Sequence, residues 1–329
     1  MNKIEINLII VTYADRYNYV KQVTDWAEKQ THIQRIYISD NSSIENSSRK
    51  LKQLEKETDK INLTIYNDNL GPGRAIKESL MKIMNNNKNS FCLILDDDNL
   101  PDKNALSELI QFWNENIDEM KSGNTILVCF RVQRKNYLRA VTENRPDLLI
   151  GINNMFRTFH IKNIFNKFFK KSTDNIFNNN LPVAPYGGMF FHMNLIEQIG
   201  YPDEDFCLYF DDHEFSRRLV EKGGNIFLVQ KSIINELEDS WYHDKGFGFM
   251  KIVKSNNRKV MYYSIRNRII FEKKYMVTNY FIYLFNALIY CGILILIMLI
   301  TLNLKNIYTF INAVLDGFLN KKYIKYSLN

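Results

Sequence analysis

The feature that most limits what this chain can fold into is an alternation in its first third. Apolar runs of strand length at residues 6–12, 35–39, 63–66, 91–95 and 125–130 are separated by helix-like segments at 20–30, 44–57, 74–85 and 104–116. That rhythm predicts an α/β fold, a mostly parallel sheet with helices on both faces. In open sheets of this class ligands collect beyond the carboxyl ends of the strands, so the residues that end each run are the first candidates for a site.

The run Leu93-Ile94-Leu95 ends in Asp96-Asp97-Asp98. Three adjacent carboxylates repel one another unless a positive partner is present. A divalent cation with oxygen ligands, carrying the phosphates of a nucleotide, answers that need. A solvated turn with Asp102 capping the next helix is the plainer alternative. The first run ends in Val11-Thr12-Tyr13 and the second in Ser39-Asp40-Asn41-Ser42-Ser43, where a lone Asp can read a base or a ribose or simply cap a turn. After the third, Asn69-Leu70-Gly71-Pro72-Gly73-Arg74 opens a helix with an Arg in its first turn, which suits a pyrophosphate although no Walker or dinucleotide spacing is present.

From 132 to 180 the pattern dissolves into Lys, Asn and Phe and reads as a substrate-facing insertion. Order returns with a strand-like 184–192 containing Tyr186-Gly187-Gly188-Met189, a helix from about Asn194, and a helix over 211–221 stopped by Gly223 and Gly224. Asp211 and Asp212 open that last helix, where its dipole favours acids; in a pocket, one of the pair can take a proton from a hydroxyl. Trp241-Tyr242-His243 sets an aromatic platform beside a histidine able to complete an oxygen-rich metal site.

Composition narrows the class. With 46% apolar residues the chain is no disordered protein, and its four cysteines form no Cys-x-x-Cys pair, which argues against a disulfide or zinc scaffold and for a reducing compartment. Residues 1–7 enter a strand without a signal-peptide pattern, so the bulk is expected in the cytosol. The net charge of +7 does not form a basic and aromatic stripe, which speaks against a nucleic-acid partner. A nucleotidyltransferase would need a basic phosphate loop near the N-terminus, where only Arg16 stands.

No charge occurs between Lys274 and Lys305, and 280–302 is almost wholly apolar, long enough as a helix to cross a hydrocarbon core of about 30 Å. Upstream lie Arg258, Lys259, Arg266, Arg268, Lys273 and Lys274; downstream Lys305, Lys321, Lys322 and Lys325. These predict anchoring at the cytoplasmic face of the membrane with anionic lipid as a partner. A single span, a re-entrant or interfacial hairpin, and an apolar helix joining a homo-oligomer all remain open. Apolar residues at 307, 310, 311, 314, 315 and 318 predict an interfacial stripe, and removing 277–329 is expected to release a soluble catalytic domain.

Taken together, in this order over roughly 6–270, these motifs and Tyr262-Tyr263-Ser264-Ile265-Arg266-Asn267 resemble the inverting family-2 glycosyltransferases with the GT-A nucleotide-sugar-binding fold. Asp96-Asp97-Asp98, Asp211-Asp212-His213-Glu214 and the Tyr262–Asn267 segment look like the branch of galactofuranosyl- and rhamnosyltransferases that build bacterial surface polysaccharides, with a tilt toward galactofuranose. Two departures weaken the donor loops: Ala14-Asp15, with Arg16 one place later, stands where the family has Asn-Arg, and Pro72 interrupts a loop usually richer in Gly and Ala.

The resemblance implies a donor-binding half over 1–131, an insertion with the acceptor-binding and catalytic half over 132–253, and a membrane-associated region over 254–329. It implies Asp96, Asp98 and His243 as ligands of Mn2+ or Mg2+. Thr12, Tyr13, Asp40, Asn69, Gly71, Arg74 and Asp97 would meet a UDP- or dTDP-linked donor. Gly187, Gly188 and Trp241 would meet a lipid-linked oligosaccharide acceptor, and Asp212, beside Asp211, would be the base. The product would be a capsule, O-antigen or cell-wall polysaccharide.

Overall fold

The computed structural model describes residues 4–116, 123–157, 159–162, 180–238, 252–253 and 255–322. They divide into two compact units, one of Met1–Leu149, Phe177–Glu204 and Asp211–Ser240, the other of Ile150–Ile176, Asp205–Phe210 and Trp241–Asn329.

The first unit is built on β1 (Ile6–Ala14), α1 (Tyr17–Glu28), β2 (Ile33–Ser43), α2 (Glu45–Glu57), β3 (Ile61–Tyr66), α3 (Pro72–Asn86) and β4 (Phe91–Asp96). There follow β5 (Asn99–Pro101), α4 (Ala105–Glu115), β6 (Thr125–Arg131), α5 (Lys135–Thr142) and a single turn, α6 (Asp147–Ile150). Later come β7 (Met189–His192), α7 (Asn194–Ile199), α8 (Asp211–Glu221) and β8 (Asn225–Glu236). The eight strands form one sheet in the order β3-β2-β1-β4-β7-β6-β8-β5.

Strands β1 to β4 are parallel, as the alternation predicts. Leu8, Ile10, Leu93 and Leu95 point into one apolar cluster, while Ile9, Cys92 and Ile94 point into a second on the opposite face. That is the period-two signature of strands covered on both sides. The sheet then becomes mixed. Gly188, at φ +94°, turns the chain so that β7 runs antiparallel between β4 and β6, and the strand expected over 184–192 occupies only its last four residues. Strand β8 pairs parallel to β6 and antiparallel to the short β5; neither β5 nor β8 was expected.

The second unit holds α9 (Arg258–Tyr275), α10 (Tyr280–Ile300) and α11 (Leu304–Phe318) around a third apolar cluster that includes Tyr263, Tyr283, Tyr290, Leu294 and Phe310. Asn267, fully buried, donates to the carbonyls of Phe206, Leu208 and Tyr209, a segment with positive φ at Cys207, Tyr209 and Phe210. The Arg266 guanidinium donates to the carbonyls of Asp205 and Lys321.

Residues 277–329 carry part of the second unit's own core. Removing α10 and α11 would strip Tyr283, Tyr290, Leu294 and Phe310 from the cluster that α9 packs into, and would leave buried Glu272 without its Tyr283 hydroxyl partner. The stripe expected at 307, 310, 311, 314, 315 and 318 is also rotated. Phe310 is buried, and the outward residues of α11 are Leu304, Tyr308, Ile311 and Leu315.

Candidate active site

The carboxyl ends of β1, β4, β6 and β8 bring an acidic and basic cluster together within the first unit. Asp97 is the buried centre of it. Its carboxylate accepts from Thr12 Oγ1 at 2.7 Å and from Arg16 Nε at 2.8 and 2.9 Å. The same guanidinium pairs with Asp98 Oδ2 at 3.3 Å and with Glu238, while Tyr13 and Tyr19 lie against it. Arg131, ending β6, reaches Asp96 Oδ2 at 3.0 Å and Glu236 Oε1 at 2.7 Å, and Arg134 joins it on Glu236 at 2.9 Å. The positive partners that the triple Asp requires are thus supplied in part by the protein itself.

Burial pushes the Asp97 carboxyl up to about 6 in spite of Arg16 and Thr12, and raises Asp98 as well, with Asp96 adding to it. For Arg16, burial works against the charge but is outweighed by Asp97, Glu238 and Asp98, so the guanidinium stays protonated. Glu236 goes the other way, because Arg131 and Arg134 overcome its burial and hold it below its usual range.

Of the three acids, Asp96 is the open one, with its side chain 45% exposed against 5% for Asp97 and 14% for Asp98. The Asp97 carboxylate, which the resemblance assigns to the sugar side of the donor, is spent on Thr12 and Arg16. Thr12 is likewise fully buried and spends its hydroxyl on Asp97, whereas Tyr13 is half exposed. Asn99 Nδ2 donates to Asp98 Oδ1 at 2.9 Å. Gly187 lies against this group: a Cβ there would fall on Asn99 Oδ1, Arg131 Nη1 and Asp96 Oδ2, so the backbone approaches closely only because no side chain is present. Gly188 serves the sheet instead, donating to Ile94 O and accepting from Cys129 N.

Two further loops border the cluster. Asn41 and Asn69 bond side chain to side chain at 3.1 Å and between them accept from Leu70 N and Gly71 N, shaping the turn into α3; Gly71, at φ +85°, precedes Pro72 in the first helical turn. Arg74 is exposed but paired with Glu78 at 3.2 Å and Glu204 at 3.7 Å. Asp40 is buried, its Oδ1 accepting from Ser43 N at 2.8 Å and its Oδ2 without a hydrogen-bond partner among the described residues. It lines a cavity of about 510 Å³ with Ser42, Ser43, Ile65, Tyr66 and Asn67.

Asp211 and Asp212 begin α8 beside the start of α3. A Cβ on Gly73 would meet Asp211 Oδ2 at 3.3 Å, and that oxygen has no hydrogen-bond partner among the described residues. Burial, then the neighbouring charge of Asp212, and more weakly that of Asp96, raise the Asp211 carboxyl well above its usual range. Asp212 is less buried, and its Oδ1 accepts from His213 N at 2.7 Å.

The sign of the Asp211 shift gives a stability prediction. A carboxyl easier to protonate in the fold than in the unfolded chain loses stability as pH rises through its folded value. Asp211→Asn, which never ionises, is expected to be more stable than the parent at pH 8 to 9, with the gain vanishing toward pH 4. Each 1 kcal/mol gained would raise the melting temperature by about 2–4 °C. Melting curves across that pH range that run parallel for the two proteins would refute it.

Trp241 and His243 lie outside the described residues. Among the described residues no group of three His, Cys, Asp or Glu side chains is placed to hold a metal. Even so, the donor set is all oxygen, and the five carboxylates Asp96, Asp97, Asp98, Glu236 and Glu238 outnumber the guanidinium groups of Arg16, Arg131 and Arg134. An open Asp96 beside Asp98 fits a hard divalent cation that takes its remaining ligands elsewhere. The sequence reading missed Arg131, Arg134, Glu236 and Glu238. Glu236 ends β8, so the rule that singled out Asp96 would have found it had that strand been recognised.

The described fold has known counterparts. The crystal structure of GalNAc-T7 with UDP, GalNAc and Mn2+ superposes with a TM-score of 0.51 at 11% identity, covering 81% of this chain and 48% of that one. The mannosyltransferase PcManGT from Pyrobaculum calidifontis, in complex with GDP-Man and Mn2+, gives 0.49 at 11% identity over 97% and 88%. TarS from S. aureus gives 0.45 at 11% over 81% and 44%. The chain thus spans about half the length of GalNAc-T7 and of TarS, and the likeness to GalNAc-T7 identifies the fold as GT-A-like. No curated protein matches the chain. The family model described as glycosyl transferase family 2 matches residues 8–200, more than half of the sequence and all of the strand ends from Thr12 to Gly188, and the chain belongs to that family.

Proposed function

We propose that this protein is a metal-dependent, inverting glycosyltransferase. It moves a sugar from a nucleotide-sugar donor to a hydroxyl of a lipid-linked glycan at the cytoplasmic face of a membrane, in capsule, O-antigen or cell-wall polysaccharide synthesis. The observation that carries this reading is the placement, in one unit, of the open Asp96 at a strand end and of the Asp211-Asp212 pair at a helix start, close enough for Asp96 to act on the titration of Asp211. A transferase of this class needs both: acids on the leaving diphosphate side and one base on the acceptor side.

Asp96 and Asp98 would hold Mn2+ or Mg2+, with His243 as a further ligand. The ion would supply Lewis-acid stabilisation of the leaving diphosphate. The UDP and Mn2+ of the GalNAc-T7 structure support a UDP donor and manganese. Arg16 and Arg131 fix the carboxylates in place, and Tyr13 and Asp40 would meet the nucleobase. Arg74 would exchange Glu204 for the pyrophosphate, while the Asn41–Asn69 pair holds the turn that aims it. The acceptor would pass Gly187, where the absent side chain leaves the backbone against Asp96, with Trp241 as a platform. Asp212, the more accessible of its pair, takes the proton as the hydroxyl attacks the anomeric carbon opposite the departing nucleotide. In-line attack from that face inverts the centre.

The sugar rests on the resemblance of Asp96–Asp98, Asp211–Glu214 and Tyr262–Asn267 to the galactofuranosyl and rhamnosyl branch. With UDP-galactofuranose, dTDP-rhamnose and other nucleotide sugars offered singly to the full chain with a lipid-linked glycan and Mn2+, release of UDP from the first is expected, with an inverted anomeric centre in the product by NMR. Release of dTDP alone would replace galactofuranose by rhamnose. A retained configuration, or no nucleotide released from any donor, would overturn the mechanism or the activity respectively.

A further inference from the structure

Fourteen of the twenty large apolar side chains exposed among the described residues fall between Tyr280 and Leu319. On α10 they follow one helical face, Phe281, Phe285, Leu288, Leu296 and Leu299; on α11 they are Leu304, Tyr308, Ile311 and Leu315. Leu302, in the turn between the two helices, is 82% exposed. Such concentration is far from the scatter of single apolar residues on an ordinary surface.

The other face of α10 is not built for lipid. Asn286, fully buried, donates to Asn154 O and accepts from Ile161 N. Tyr283 donates to Glu272, a fully buried acid of α9 that also pairs with Arg268. Arg157 donates to the Tyr290 hydroxyl at 3.2 Å and to Ser264 O at 3.1 Å. A helix standing across a bilayer would therefore carry Arg157, Arg268 and Glu272 into the hydrocarbon beside it, each at a cost of several kcal/mol at depth.

Charge identifies what covers the outer face. From 273 to 322 the only acid is Asp316, which is buried and bonded to the Tyr262 hydroxyl and Lys321, whereas Lys274 in the last turn of α9, Lys305 in the first turn of α11, and Lys321 and Lys322 just past its end are exposed. Tyr280 and Tyr308 stand exposed near the N-terminal turns, the side chains favoured at the headgroup level. An apolar face rimmed by lysine and tyrosine complements an anionic leaflet, not a second copy of the same cationic surface.

We infer that α10, though long enough to span, lies in the plane of one anionic leaflet, and that α10 and α11 together form a monotopic docking face. The inference rests on the membrane-bound reading above and supplies its mode; it does not depend on the sugar or the mechanism.

Full-length protein purified from membranes, with Cys291→Ala, is reconstituted into phosphatidylglycerol and phosphatidylcholine vesicles. A nitroxide is placed singly at Phe281→Cys, Gly292→Cys and Ile300→Cys; Gly292 is exposed, with open space around it. Depth measured by oxygen and nickel-chelate relaxation is expected to be similar and shallow at all three, about 5–10 Å into the leaflet. Label 292 at the bilayer centre with 281 and 300 near opposite surfaces would overturn the inference while leaving membrane binding intact. In flotation of the unlabelled chain, Leu288→Glu and Leu296→Glu are each expected to weaken binding about tenfold or more, the burial of one leucine. Parent protein that stays off phosphatidylglycerol vesicles as a soluble dimer would overturn both the inference and the membrane reading.

Discussion

Asp212→Asn is expected to keep its affinity for the nucleotide-sugar donor within a few-fold while turnover falls by about 10²–10⁴-fold, the contribution of a positioned general base. The substitution keeps the size of the side chain and an oxygen able to accept from His213 N, so the start of α8 has no reason to move. What is lost is the capacity to take a proton. The comparison with its neighbour is what gives the result meaning. Asp211 is buried, its Oδ2 aimed at Gly73, and its carboxyl is already biased toward the protonated form by burial and by Asp212. Asp211→Asn mimics that protonated form and should cost far less turnover. Single-turnover rates and donor binding measured on both variants decide it: an inactive Asp211→Asn beside a nearly normal Asp212→Asn would exchange their roles.

The pair also shows what the sequence makes visible. Asp211 and Asp212, and Asp96 to Asp98, are consecutive in the chain and sit where an apolar run stops or a helix starts, so their place needs only local pattern. The first four strands were legible for the same reason, each a continuous apolar run between helical segments. Strand β8 was not: Gln230 and Lys231 interrupt its apolar run, and β5 is three residues long and exists only through its pairing with β8. The guanidinium groups that hold the acids were out of reach for a deeper reason. Arg131 meets Asp96, 35 residues away, because β7 inserts antiparallel between β4 and β6, an order that no local periodicity encodes. Arg16 stood out in the sequence as a family arginine displaced by one position, but its reach to Asp97, Asp98 and Glu238 depends on the bulged end of β1, where Ala14 has φ +54°.

That arginine framework shapes the expected result for the acids themselves. Asp96→Ala and Asp98→Ala are each expected to lower donor affinity in Mn2+ to the level seen in EDTA, a loss of at least about 10-fold, since removing a ligand costs no less than removing its supporting partner. Because Arg16 and Arg131 already offset part of the acidic charge, self-repulsion alone does not demand a cation, and the metal must be tested directly. The two variants disturb different partners: Asp96→Ala releases Arg131, which retains Glu236, and Asp98→Ala releases one contact of Arg16, which retains Asp97 and Glu238. Neither leaves an arginine without a carboxylate, so the fold is expected to persist with an unchanged melting temperature in EDTA, which separates loss of the metal from loss of the unit. Titrating UDP into each protein with Mn2+ present gives the affinity, and the difference from the parent should be absent when the same titration is run in EDTA. If both variants bind donor as the parent does, or if the parent transfers sugar at its full rate in EDTA, these carboxylates serve the arginine framework alone and the transferase stabilises its leaving diphosphate with Arg16, Arg74 and the α3 N-terminus instead.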